Sequence, residues 1–137
     1  MPSKAYVADV QALPRQSRFG GAMEETAVVM DAAVLKFSWA TPFSGEMTGR
    51  TAPVGKPDQH PFDQVIFLVS GRVEVTLGEG DEAETHELGP GHVIYIPAGV
   101  PHIGRVLGDE PCFGVDVFAP VREDYLDLAA HQLSREG

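Results

Sequence analysis

Gly91-His92-Val93-Ile94-Tyr95-Ile96-Pro97-Ala98-Gly99-Val100-Pro101-His102 is the stretch that decides the fold. It reads as a turn glycine, a run of strand formers, a Pro-x-Gly turn whose glycine takes positive φ, and a histidine returned on the next strand. A chain of this composition would contain that spacing of Gly, Pro, Gly and His by chance with a probability of about 0.4%. Two strands joined by a tight corner, with an imidazole at the start of the second, are therefore the first expectation.

Outward from this corner the punctuation continues. Glycine and proline, 15 and 11 of them, chop the middle of the chain into pieces of strand length. Strands are expected near Thr26–Met30, Ala33–Ser38, Gln64–Ser70, Arg72–Leu77, Glu84–Leu88, His92–Ile96, His102–Leu107 and Phe113–Ala119. About eight strands in one core imply a sandwich, jelly roll or barrel. In Arg72–Leu77, Val73, Val75 and Leu77 share one face and Arg72, Glu74 and Thr76 the other, so that strand has a wet side. Gln64–Ser70 is apolar on both faces, with Val65, Phe67 and Val69 on one and Ile66 and Leu68 on the other. An interior covers one face; a second layer or a partner subunit must cover the other, and a homodimer is expected on that ground.

The ends differ from the middle. Residues 1–25, with Pro14, Gly20 and Gly21, are expected to form an extended arm on the barrel or across a partner. Residues 26–119 form the β domain. In residues 120–137 the period changes: Arg122, Leu126, Ala129 and Leu133 fall on one side of a helix, which reads as a packing element without a functional role. The run Gly78 to Glu84 reads as a solvated acidic hairpin, because it lacks the ligand spacing of a calcium loop.

The corner motif resembles the second motif of the cupin superfamily, G-x5-P-x-G-x2-H-x3-N. Gly91, Pro97, Gly99 and His102 match, and Val106 stands at the final Asn position. The family's first motif, G-x5-H-x-H-x3-E-x6-G, falls on Ala52, Asp58, His60, Gln64 and Gly71, of which His60 and Gly71 match outright. The resemblance spans roughly residues 33–119. It implies an all-β double-stranded β-helix (jelly-roll) barrel of the small single-domain, RmlC-like kind with a short C-terminal helix. It further implies that positions 58, 60, 64 and 102 point inward around one metal ion.

The residues themselves agree in part. Asp58 and His60 are two apart, so on extended backbone they share a face. With His102 they make a two-His-one-carboxylate set of the kind found in non-haem Fe(II) sites, and Gln64 offers a fourth, neutral oxygen. The single ligand carboxylate leaves a loaded divalent site positive, which suits an anionic or enolisable substrate oxygen. The competing reading puts Asp58 on a surface loop and makes Gln64 a hydrogen-bonding neighbour. Asp63 points away from Gln64, but a register slip of one residue would make it the ligand instead. Asp116 interrupts the apolar strand Phe113–Phe118 and is the candidate catalytic acid or base of the pocket. His86, His92 and His131 read as surface residues, and Phe37, Trp39, Tyr95 and Phe118 as core aromatics, one or two of them at a pocket mouth.

Composition limits the partners. A formal charge of −10 over 137 residues, with scattered basic residues, repels nucleic-acid phosphates and anionic membranes. No run approaches a membrane span. Asp9 interrupts what a signal peptide would need to be apolar, and the single Cys112, a small buried hydrophobe, suits a reducing cytoplasm. The expectation is a cytoplasmic metal-dependent enzyme on a small organic substrate, first an Fe(II) dioxygenase. The alternatives are a Zn, Mn or Ni Lewis-acid lyase, isomerase or cyclase with Asp116 as base, and a binding module without turnover.

Overall fold

In the computed structural model, which describes residues 4–42, 46, 47 and 57–136, nine β-strands pair antiparallel throughout. They are β1 (Gln16–Arg18), β2 (Met23–Val29), β3 (Val34–Ala40), β4 (Asp63–Ser70), β5 (Arg72–Leu77), β6 (Glu84–Leu88), β7 (Val93–Ile96), β8 (His102–Leu107) and β9 (Cys112–Ala119). One sheet has the order β1-β2-β3-β9-β4-β7 and the other β6-β5-β8. All eight expected strands are present within three residues of their expected ends. The added strand, β1, lies in the stretch expected to be an arm and pairs with the start of β2.

The two sheets form a jelly roll but do not close into the expected barrel. The chain passes from one sheet to the other at Gly71, which sits at φ +85°. A Cβ there would lie 2.5 Å from Cys112 Sγ and 2.8 Å from the Cys112 Cα, so no side chain fits the crossing. On the far side of β8 the described residues contribute two isolated bridges, Met47↔Gly104 and Asp58↔His102, rather than a ladder. Met23, Leu68, Val73, Val75, Ile96 and Val106 fill the space between the sheets. Val106, at the Asn position of the motif, is thus a core residue. Ala52 lies outside the described residues.

The C-terminal element is a short helix in two pieces. Glu123–Ala129 is a 3-10 turn, and α1 (Ala130–Glu136) continues it. In the tighter turn, residues three apart eclipse, so Tyr125 and Leu128 are buried beside Arg122 and Ala129 of the expected face, with Leu126 and Leu133 half-buried against them. The helix also blunts an open sheet edge. The Gln132 amide pairs with both the N–H and the C=O of Val29 at 2.8 Å, and His131 Nε2 donates to the Ala27 carbonyl at 2.7 Å. Its Nδ1 then accepts from the Tyr6 hydroxyl at 2.7 Å. His131 is therefore a half-buried clamp between terminal segment, sheet and helix, not a surface residue. His86 and His92 are exposed as expected. Among the described residues no helix is long and apolar enough to cross a membrane.

Candidate metal centre

The corner that opened the sequence places the site. Ile96 at the end of β7 pairs with Gln64 at the start of β4, so the strand before the corner belongs to the six-stranded sheet. The Pro97–Val100 turn, with Gly99 at φ +83°, then delivers His102 to the other sheet. Two backbone contacts pin the facing segment. Gly99 N–H donates to the His60 carbonyl at 2.8 Å, and Asp58 and His102 exchange both backbone hydrogen bonds at 2.8 Å. Residues 58, 60, 64 and 102, distant in the chain, converge as a result.

All four are less than a tenth exposed. His60 Nδ1 faces the Phe62 carbonyl and His102 Nδ1 the Val100 carbonyl, each at 3.0 Å. A carbonyl only accepts, so both Nδ1 atoms carry the proton and both Nε2 atoms present a lone pair. Those lone pairs face Asp58 Oδ2, at 3.8 Å from His60 and 3.7 Å from His102, while Gln64 Oε1 stands 3.1 Å from His60 Nε2. Burial holds the His102 pKa below its ordinary value against the Val100 carbonyl and Asp58, which favours the neutral ring that ligates metals. Asp58 Oδ1 is buried without a hydrogen-bond partner.

Several electron-rich atoms thus point at one another in a place shielded from water, an arrangement that a shared cation relieves. Two metal–ligand bonds of about 2.1 Å bridge such separations, and Asp58, His60 and His102 each offer an atom within 4.8 Å of the others. The residues present fit a divalent ion, with Gln64 beside them as the neutral oxygen. The surface-loop reading of Asp58 is excluded by its burial. Asp63 is exposed instead, accepting from Ala98 N–H at 2.9 Å and from the Tyr95 hydroxyl at 3.3 Å, so the register has not slipped.

The site opens into a cavity between the two sheets. Asp116 lines it and stands opposite Lys36 in the β3–β9 register. Lys36 Nζ lies 3.3 Å from Asp116 Oδ2 and 2.8 Å from Glu25 Oε2, all three being largely buried. Burial alone would lower the Lys36 pKa, but the two carboxylates outweigh it and hold it above the usual value. Burial pushes Asp116 upward, and Lys36 opposes the shift. The two directions pull against each other, since each partner's charge supports the other's. Of the two carboxylates that hold Lys36 up, Asp116 weighs more, although Glu25 Oε2 is the nearer oxygen.

Sequence reasoning found Asp116 but missed Lys36, Glu25 and Arg122. The first two are visible only once the strand register pairs them. Arg122, expected on a helix without functional role, is 1% exposed with Nη1 3.8 Å from Asp58 Oδ2. Its Nε is bonded to Asp124 at 2.9 Å, and its guanidinium stacks 4.2 Å from the Tyr125 ring. The charge tally from the ligands alone therefore omitted a buried cation that Asp124 offsets in part. Of the four aromatics expected in the core, Phe118 is there and lines the cavity. Tyr95 is exposed, and Phe37 and Trp39 are half-buried on the outer side of the sheet.

Comparison with known proteins agrees with this fold. An uncharacterised Streptomyces coelicolor protein is 46% identical over 43 residues, a match spanning 31% of this chain and 37% of that one. Among solved structures, KdgF from Halomonas sp. superposes with a TM-score of 0.65 at 22% identity, over 83% of this chain and 94% of its own. The iron(II) form of HppE superposes with a TM-score of 0.64 at 12% identity, over 86% and 62%. A family model described as a cupin domain matches residues 47–118, more than half of the 137. The chain belongs to the cupin family.

Proposed function

We propose that this protein is a metal-dependent enzyme acting on a small organic molecule, with a non-haem Fe(II) oxygenase as the leading reading. The observation that carries it is the near-equal distance, 3.7 and 3.8 Å, of Asp58 Oδ2 from two imidazole Nε2 atoms whose tautomers are fixed. Two histidines and one carboxylate leave coordination positions open on an iron(II) ion, which supplies binding and activation of substrate and dioxygen. A solved structure of the same fold, HppE, is an iron(II) form. Arg122 Nη1 stands 3.8 Å from Asp58 Oδ2 as a buried counter-charge, and burial holds the His102 pKa below its ordinary value. Asp116 lines the cavity as the candidate group to take or give a proton.

That last residue favours a second reading. An acid with an upward-shifted pKa beside a lysine ammonium serves proton transfer without oxygen, as in a Zn, Mn or Ni lyase, isomerase or cyclase. Metal analysis of protein purified without added metal, followed by oxygen uptake over a panel of catechols and 1,3-diketones, separates the two. Iron with oxygen consumption supports the first; zinc, manganese or nickel without uptake supports the second. Failure to bind any divalent ion after reconstitution rejects both and leaves a binding module. His102→Ala is expected to lose stoichiometric metal while keeping its far-ultraviolet circular dichroism, and metal retained in that variant would discredit the ligand assignment.

We further propose a homodimer, with a cytoplasmic location in keeping with the unpaired, buried Cys112. Phe67, Val69, Val93 and Tyr95 are 42–60% exposed on the outer face of β4 and β7. Asp63, bonded to the Tyr95 hydroxyl, borders this face at one end, and across the ladder Val115 and Val117 of β9 extend it. For a chain of charge −10, this largely apolar face is where a second copy approaches with least repulsion.

A further inference from the structure

The cavity does not stop at the metal ligands. Its inward residues run in layers along the strands, from Gln64 and Phe118 through Ile66 and Asp116 to Leu68 and Gly114. Each step of two residues is about 7 Å, so the last layer lies about 13 Å from the first. At that far end the inward side chains are small. Ser38 and Ala40 of β3 and Cys112 and Gly114 of β9 line the same cavity as Asp58, Gln64 and His102. Protein interiors are packed to crystal-like density, and the outer faces of these same two strands do carry Trp39 and Phe113, stacked at 5.0 Å. Small residues on the inner face leave room for something else.

A polar atom waits there. Ser38 Oγ is buried, lines the cavity and has no hydrogen-bond partner among the described residues. A buried hydroxyl without a partner is destabilising. Its ladder neighbour Glu25, wholly buried, has neither carboxylate oxygen in a hydrogen bond, although Oε2 is ion-paired with Lys36. Ser38 Oγ both donates and accepts, which fits a ligand hydroxyl, while Glu25 stands behind it outside the cavity lining. The opposite wall, with Val73 and Val75 of β5, is apolar and suits a hydrocarbon segment between two polar ends.

We propose that Ser38, backed by Glu25 and Lys36 and given space by Gly114, is a hydroxyl-recognition subsite at the far end of the cavity. The substrate is then a bifunctional molecule, with a metal-binding oxygen at one end and a hydroxyl about 13 Å along the wall at the other. This rests on the metal-enzyme reading above.

Zinc-loaded protein titrated calorimetrically with acetohydroxamate, decanohydroxamate and 10-hydroxydecanohydroxamate tests it. The last two differ only by the terminal hydroxyl. That hydroxyl is expected to tighten binding about fivefold, the worth of one net hydrogen bond. Ser38→Ala is expected to erase the gain and leave acetohydroxamate unchanged. Gly114→Ala places a methyl 3.6 Å from the Phe67 carbonyl oxygen and 3.7 Å from Leu68 Cδ1, ordinary contact that the fold accommodates. It is expected to weaken both long probes about tenfold and acetohydroxamate less than about twofold. Equal affinity of the two long probes for the wild type, or a gain that survives in Ser38→Ala, overturns the subsite and leaves the metal centre standing. No binding of acetohydroxamate to zinc-treated protein overturns the metal reading, and the subsite with it.

Discussion

The two faces of the six-stranded sheet partly invert an ordinary sheet with one buried side. The inner face sets Glu25, Lys36, Gln64 and Asp116 among its apolar residues, whereas the outer face carries Phe67, Val69, Val93 and Tyr95, all substantially exposed. Along β4 and β9 the inward Gln64 and Asp116 stand among Ile66, Leu68 and Phe118, while Phe67, Val115 and Val117 face outward. A sheet built only for stability would keep its charges in water, because a buried ion pair rarely outperforms a hydrophobic replacement. The difference teaches that neither face is explained by this chain's own folding alone, which is what the proposed ligand on the inside and the proposed second copy on the outside account for.

The inner face breaks most severely at Lys36. Lys36→Met deletes the cation that serves two buried carboxylates and fits the apolar part of the space. Removing one partner of a buried cluster costs about 3–5 kcal/mol, since the remaining charges are stranded. Urea unfolding is expected to show that loss, with most of it recovered when Glu25→Gln and Asp116→Asn are added. A loss under about 1 kcal/mol would mean that water already reaches the cluster and the inner face is not dry.

The outer face breaks at a smaller magnitude. Phe67→Glu combined with Val93→Glu places charge at the centre of the exposed apolar face. Central apolar anchors of an interface are worth about 2 kcal/mol each, some thirtyfold in Kd. Sedimentation is expected to show a dimer for the wild type and a monomer for the variant, with unchanged circular dichroism. A monomeric wild type at micromolar concentration would assign the outer face to another partner.

The same inversion explains what was legible in the sequence. Gly91, Pro97, Gly99 and His102 sit within one local corner, so their spacing alone located β7, β8 and the first ligand. Asp58 and His60, two apart, were legible as a pair on one face. Closure of the sheets into a barrel was not, because it depends on what lies along β8, where the described residues make only two bridges. Lys36 and Glu25 were invisible for a related reason: a charged residue inside a strand pattern normally marks the wet face, and only the register Lys36↔Asp116 and Glu25↔Ser38 shows them facing inward. Arg122 was hidden by the helical period. The α-helical reading put it on the packing face, but a 3-10 turn stacks residues three apart, which adds Tyr125, and its approach to Asp58 is visible only in the fold.

The mildest way to sharpen the comparison is pH. Burial raises the Asp116 pKa in the folded chain above the ordinary carboxylate value of about 3.9, with Lys36 opposing. The folded state then keeps a proton that the unfolded chain has released, so it binds more protons over the window between the two pKa values. Stability must therefore fall as pH rises from about 4 to the folded pKa and stay flat above it, with a slope of at most about 1.4 kcal/mol per pH unit. Asp116→Asn has no such proton to lose. Unfolding free energies of both proteins, measured with chelator from pH 4 to 8, are expected to show the wild type losing stability relative to the variant through that window. A wild type that gains relative stability with rising pH would show that Lys36 outweighs burial and that Asp116 is a permanent anion. The inner face would then still be charged, but its acid would have no proton to offer a substrate at neutral pH.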